Sequence, residues 1–214
     1  MVDRVLGITV PTALLMLKAP VAGEVKTRLA QEVGTSAALA AYRSLVERQL
    51  GQIPRAWRVH ICYAPAGALA AMQQWLGGEH EYSAQAAGDL GDRLAAATAR
   101  HFRMSTGPLI VLGGDCPYLE RERLQEAARN LENATVVLVP ALDGGYCLLG
   151  MRRSQPDIFR AISWSTAEVL AQTRERLSEL KLVWTELAVL EDVDDYASWQ
   201  RALRAYPELM ERAR

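Results

Sequence analysis

Nothing in this chain is basic enough, apolar enough or rich enough in cysteine to suggest a nucleic-acid binder, a membrane protein or a disulfide-stapled secreted domain. Its 214 residues carry 24 lysines and arginines against 25 aspartates and glutamates, a formal net charge of −1. No basic cluster interleaved with aromatics is present, so nucleic acid is not an expected partner. The three cysteines, Cys62, Cys116 and Cys147, are odd in number and far apart, without a C-x-x-C pair or a histidine at metal spacing. That excludes a disulfide framework and a structural zinc site, and it suits buried thiols in a reducing cytoplasm. The apolar stretch over residues 5–17 follows Arg4 as a signal peptide would, but Pro11 and threonines interrupt it and Lys18 closes it. With no A-x-A cleavage site after it and too little length to span a bilayer, it predicts neither secretion nor a membrane partner.

No linker, repeat or low-complexity tract divides the chain, and half of its residues are apolar. A single domain over residues 1–214 is expected, with residues 1–11 as an N-terminal extension. Strand-like runs are expected at residues 13–17, 58–63, 109–112, 135–139, 147–151 and 182–187. Helical patterns are expected at 35–53, 66–76, 90–102, 119–130, 167–180 and 196–212, the last broken at Pro207. This alternation predicts an α/β fold with a mostly parallel sheet covered by helices. The Asp143-Gly144-Gly145 turn before residues 147–151 predicts a hairpin inserted near one edge.

Five segments carry candidate chemistry. L-I-V-L-G-G-D-C-P-Y-L, residues 109–119, is an apolar strand that delivers Gly114 and Asp115 to its carboxyl end, where α/β sheets bind ligands. Asp115 there is either a ligand for a hard divalent cation shared with phosphate or the cap of a helix starting near Tyr118. K-A-P-V-A-G-E-V-K-T-R-L, residues 18–29, gathers Lys18, Lys26 and Arg28 around Gly23 after the first strand. It reads as a phosphate-binding loop leading into a helix or as a solvated basic turn, and it matches neither the Walker pattern nor G-x-G-x-x-G. P-A-L-D-G-G-Y-C-L-L-G, residues 140–150, sets Asp143 beside bare backbone at Gly144 and Gly145, or is a plain hairpin turn. W-S-T, Trp164 to Thr166, binds an anion or caps a helix. E-D-V-D-D, residues 191–195, supplies carboxylates to a metal or makes a solvated acidic turn capping the last helix.

Taken in order with Q-x-x-G-D-L-G-D-R-L at residues 85–94, these motifs resemble the glycosyltransferase-like family associated with radical SAM, arsenosugar and selenium gene clusters. That family is similar to the GT-A nucleotide-diphospho-sugar transferase superfamily and to the guanylyltransferases that activate phospholactate or molybdenum cofactor. The resemblance covers residues 14–199 and implies a three-layer α/β/α sandwich with a mostly parallel mixed sheet. It also implies a nucleotide-activated donor, a small-molecule acceptor, and Mg²⁺ or Mn²⁺. Matched by position, Lys18, Gly23, Lys26 and Arg28, with Gly114, are the expected nucleotide-binding residues, and Asp115, Asp192 and Asp194 the expected metal ligands. Gly144, Gly145, Tyr146, Trp164, Ser165 and Thr166 are expected to contact the acceptor. Asp115, Asp143, Lys26 and Arg28 are the expected catalytic groups, Asp143 as base. Asp92 and Arg93 belong to the shared motif without an implied role. The chain lacks the L-x-G-G-x-S-x-R loop of typical nucleotidyltransferases, and Asp195 replaces the threonine usual after D-V-D. Glycosyl transfer is the leading expectation. Nucleotidyl transfer to a phosphorylated acceptor and a nucleotide-binding protein without turnover are the alternatives. The sequence sets no oligomeric state.

Overall fold

The computed structural model describes residues 10–212, so most of the expected extension over residues 1–11 lies outside the described residues. Seven strands form one mixed sheet in the order β3-β2-β1-β4-β6-β5-β7. They are β1 (Thr12–Lys18), β2 (Arg58–Ala64), β3 (Glu81–Ala84), β4 (Leu109–Leu112), β5 (Val136–Pro140), β6 (Tyr146–Met151) and β7 (Trp184–Glu186). Only β6 runs antiparallel to its neighbours, β4 and β5. It is the return arm of the hairpin that the Asp143-Gly144-Gly145 turn predicts.

The apolar runs of β1, β4 and β5 are continuous because both faces of the sheet are covered. Successive side chains alternate between faces. Ala13, Leu15, Leu17, Ile110, Leu112, Val137 and Val139 enter one core. That core is closed by α2 (Thr35–Gln52), α3 (Leu69–Leu76) and α5 (Arg121–Asn130). Leu14, Leu109, Val111, Val136 and Leu138 enter the other, under α4 (Leu90–Met104) and α6 (Val169–Glu179). The result is the expected three-layer arrangement. A third cluster around Leu29, Leu45, Val193 and Trp199 packs α1 (Thr27–Val33), α7 (Tyr196–Ala205) and α8 (Glu208–Arg212) against α2.

Two elements depart from the sequence expectation. The short strand β3 was not expected, since Glu81-Tyr82-Ser83-Ala84 is polar and lies at the sheet edge, with no residue fully buried. Helix α5 starts at Arg121 with Glu120 at its N-cap position, which corrects the reading of Asp115 as the cap of a helix near Tyr118. No helix among the described residues is long and apolar enough to cross a membrane.

Candidate active site

Strand β1 pairs with β2 on one side and β4 on the other, so the order of connection reverses between β1 and β4. A crevice opens there beyond the carboxyl ends of the strands, the usual ligand position in such sheets. Gly114 does not line it. A Cβ at Gly114 would stand 2.6 Å from Val46 and 2.9 Å from Leu17, so this glycine lets α2 approach the backbone and thereby sets where Asp115 begins.

Three loops meet at Asp115. The Asp115 carbonyl accepts from Val193 N–H at 2.9 Å, which ties the loop after β4 to the acidic segment after β7. The Lys26 ammonium, in the loop after β1, lies 2.9 Å from the Asp115 carboxylate and 2.5 Å from the Val193 carbonyl. Its side chain is only 5% exposed, and a buried ammonium is tolerated only when paired and hydrogen-bonded. Lys26 also adopts a left-handed backbone, φ 49°, a conformation disfavoured for a residue with a Cβ. In this structure Lys26 is thus a buried counter-charge to Asp115 and does not line the cleft. Arg28 is different. Three-quarters exposed, it donates to Asp194 at 2.5 Å and lines the cleft.

Lys18 and Gly23 stand outside the cleft lining. Both backbone groups of Lys18 bond to the Tyr42 hydroxyl, its N–H donating at 3.0 Å and its carbonyl accepting at 2.9 Å, while its side chain is exposed. Burial and the nearby Asp115 charge push the Tyr42 phenol up, so it stays a neutral donor. Gly23, at φ +85°, makes the turn before α1.

Across the cleft, Asp192 is half-buried beside Asp143 and Asp115. Desolvation and then repulsion from these carboxylates raise its pKa from 3.8 to about 6. Asp143 accepts from Gly145 N–H at 2.8 Å, so the hairpin-turn reading is realised while the residue still faces the cleft. Gly144, at φ +91°, presses on the Ala167 carbonyl, and its own carbonyl accepts from Leu170 N–H at 2.8 Å. Gly144 therefore docks the hairpin onto the start of α6 and does not reach the cleft.

The same docking orders the W-S-T segment. Thr166 donates to the Ser163 carbonyl at 2.7 Å and accepts from Glu168 N–H. Ser165 is exposed with φ 64°. The Trp164 indole lies on Gly91, where a Cβ would collide with Nε1. That contact gives the Q-x-x-G-D-L-G-D-R-L motif a physical account. Asp89 and Asp92 form a capping box on α4, Arg93 donates to the Gly88 carbonyl at 3.0 Å, and Gln85 donates to the Leu17 and Cys62 carbonyls. Asp92 and Arg93 thus start a helix. Asp195 likewise caps α7 through Ser198, while Asp192 and Asp194 of the same segment face the cleft.

The cleft encloses about 560 Å³. Of the residues expected at a site it is lined by Arg28, Asp115, Asp143, Gly145, Tyr146, Trp164, Ser165, Thr166, Asp192 and Asp194; Lys18, Gly23, Lys26, Gly114 and Gly144 are not among its walls. The sequence reading missed an apolar wall of Met16, Leu90, Leu94, Val111 and Leu149. Leu90 and Leu94, the two leucines of the Q-x-x-G-D-L-G-D-R-L motif, are the signal for it in the sequence, and Leu90 is 41% exposed. Cys116 and Cys147 also line the cleft, both buried. A hydrogen bond with Cys116, and then burial, push the Cys147 thiol well up, which suits packing and not nucleophilic attack.

Among the described residues, no three His, Cys, Asp or Glu side chains converge as a ready-made metal cage. Asp194 turns to Arg28, leaving Asp115, Asp143 and Asp192 as hard oxygen donors with charge in excess of their partners. That set suits a hard divalent cation which takes one or two carboxylates and fills its shell with water and substrate phosphate.

Fold and cleft together define a protein of the nucleotide-diphospho-sugar transferase class of folds. The chain belongs to the family described as uncharacterized protein conserved in bacteria (DUF2064), matched over residues 49–166. It is similar to a candidate nucleotide-diphospho-sugar transferase from Desulfovibrio desulfuricans G20, with 31% identity, TM-score 0.84, and 95% of this chain and 97% of that one covered. More distant likeness, which shows the fold alone, links it to a CMP:2-keto-3-deoxy-manno-octonic acid synthetase solved with CTP. There the identity is 13% and the TM-score 0.58, over 93% of this chain and 99% of that one. A Mycobacterium tuberculosis H37Rv protein solved with manganese is similar at 16% identity and TM-score 0.53, over 92% of this chain and all of that one. No curated protein matches the chain.

Proposed function

We propose that the protein is a metal-dependent transferase acting on a nucleotide-activated donor, in the first instance a glycosyltransferase with a small-molecule acceptor. One observation carries this reading. Loops after β1, β4 and β7 bring Arg28 and the carboxylates Asp115, Asp192 and Asp194 to one cleft at the point where the sheet order reverses. Asp115 and Asp192, joined by Asp194, would hold Mg²⁺ or Mn²⁺, which would neutralise charge on the leaving diphosphate. Arg28 offers a planar fork to phosphate oxygens. Lys26 holds Asp115 in place from behind. Gly145, Tyr146, Trp164, Ser165 and Thr166 form the acceptor side. There the acceptor hydroxyl attacks the anomeric carbon, the bond from that carbon to the diphosphate breaks, and Asp143 takes the hydroxyl proton. Catalysis of this kind rests mainly on positioning and electrostatics. Three free, buried thiols suit a cytoplasmic setting.

Nucleotidyl transfer is a second reading of the same cleft, supported by the exposed Ser165 hydroxyl as a contact for a phosphorylated acceptor. A thermal-shift series with sugar nucleotides and nucleoside triphosphates, each with Mn²⁺ or chelator, separates the readings. A ligand at a hundred times its Kd adds about 2.7 kcal/mol, or roughly 5–10 °C for a chain of this size. Metal-dependent stabilisation by sugar nucleotides that is lost in Asp115→Asn supports glycosyl transfer. Preference for a triphosphate, with pyrophosphate release, supports nucleotidyl transfer. Stabilisation by none of them rejects both readings and leaves a protein without this chemistry.

A further inference from the structure

We infer that the Arg28–Asp194 ion pair is a latch that couples metal binding to nucleotide binding, an inference that rests on the metal-dependent reading above. The two loop cations are not equivalent. Lys26 is anchored: its ammonium is buried, bonded to both the Asp115 carboxylate and the Val193 carbonyl, and outside the cleft lining. Arg28 is the movable one, 75% exposed and standing in the cleft wall with Asp194, which is 47% exposed. Exposed pairs of this kind are held weakly, so an incoming diphosphate competes well for the guanidinium, which grips phosphate as readily as carboxylate.

The charges around the cleft make the exchange productive. Two cations face four carboxylates, Asp115, Asp143, Asp192 and Asp194. A diphosphate arriving alone meets net negative charge. A divalent cation arriving alone finds Asp194 already engaged by Arg28 and Asp115 by Lys26. When both arrive, Arg28 passes to phosphate and Asp194 is released toward the metal beside Asp192, only two residues away in the same loop. Each ligand thereby removes the obstacle to the other, and such coupling is reciprocal by linkage, commonly about 5- to 150-fold in affinity.

The test is Mn²⁺ binding to the nucleotide-free protein, read from the electron paramagnetic resonance signal of free Mn²⁺. Five proteins are compared: wild type, Arg28→Met, Asp194→Asn, the double variant of these two, and Asp192→Asn. Arg28 and Asp194 are both at the surface of the cleft, so these variants leave the core intact. Arg28→Met is expected to bind Mn²⁺ about two- to fivefold tighter than wild type, and the gain is expected to vanish in the Asp194→Asn background. A gain that persists without Asp194 would mean that Arg28 acts only through general charge, and the latch is overturned. Equal Mn²⁺ affinity in wild type and Arg28→Met, with weakening in Asp192→Asn, also overturns the latch while leaving the metal reading intact. No Mn²⁺ binding by any of these proteins overturns both.

Discussion

Asp192 predicts an unusual dependence of stability on pH. Most carboxylates ionise more easily in the folded protein, but this one ionises near 6, against 3.8 for the free group, because burial and the charges of Asp143 and Asp115 disfavour its anion. The folded state therefore holds a proton between about pH 4 and pH 6 that the unfolded chain has given up, and stability must fall as pH rises through that window. Taken in full, the change amounts to about 3 kcal/mol. Asp192 is only half-buried, so solvent screening reduces the expected penalty to about 1–2 kcal/mol above pH 6. Asp192→Asn removes the ionisation and keeps the shape. In chelating buffer its urea-unfolding free energy is expected to match wild type near pH 4 and to exceed it by about 1–2 kcal/mol at pH 7.5, or roughly 2–8 °C in thermal midpoint. A difference between the two proteins that does not change between pH 4 and pH 7.5, or a variant less stable at pH 7.5, would refute the reasoning.

Tyr42→Phe removes the hydroxyl that bonds both backbone groups of Lys18. It is expected to cost about 1–3 kcal/mol by urea unfolding, and a neutral result would mean that water replaces the hydroxyl there. Gly91→Ala drives a methyl into the Trp164 indole. It is expected to destabilise by about 1–3 kcal/mol, with most of that loss recovered in the Gly91→Ala, Trp164→Phe double variant. Failure of the smaller ring to recover stability would place the strain at the Phe159 carbonyl, the next group that a Cβ at Gly91 meets.

The parts of the fold legible in the sequence were those whose signal is local. The apolar run of β4, ended by Gly113 and Gly114, appears at the expected residues, and the Asp143-Gly144-Gly145 turn does join an antiparallel pair. Edge strand β3 has no apolar alternation to reveal it, because few of its side chains find a core. Helix α1 follows the basic loop as expected but stops at Gly34, φ 83°, before α2 begins. At the candidate site the residue types were readable and the directions were not. Gly114 and Gly144 sit in motifs that suggest open backbone, yet each meets a neighbouring element, α2 or the start of α6. The pairing of Lys26 with Asp115 and Arg28 with Asp194 joins residues up to 166 positions apart. Only the topology, which sets the loops after β1, β4 and β7 side by side, brings them together.

Strand β1 has two roles that cannot be separated. It hydrogen-bonds to β2 and β4 at once, and its carboxyl end launches the loop that carries Lys26 and Arg28. The segment that marks the family, residues 49–166, begins inside α2 and contains neither that loop nor Asp192 and Asp194. Cut out by itself, it would lack the edge strand β7 and the interior strand β1, with β2 and β4 facing each other across an empty lane. The stretch by which the family is recognised is thus a frame, and the chain on either side of it supplies both the strand that closes the frame and the charges that face its opening.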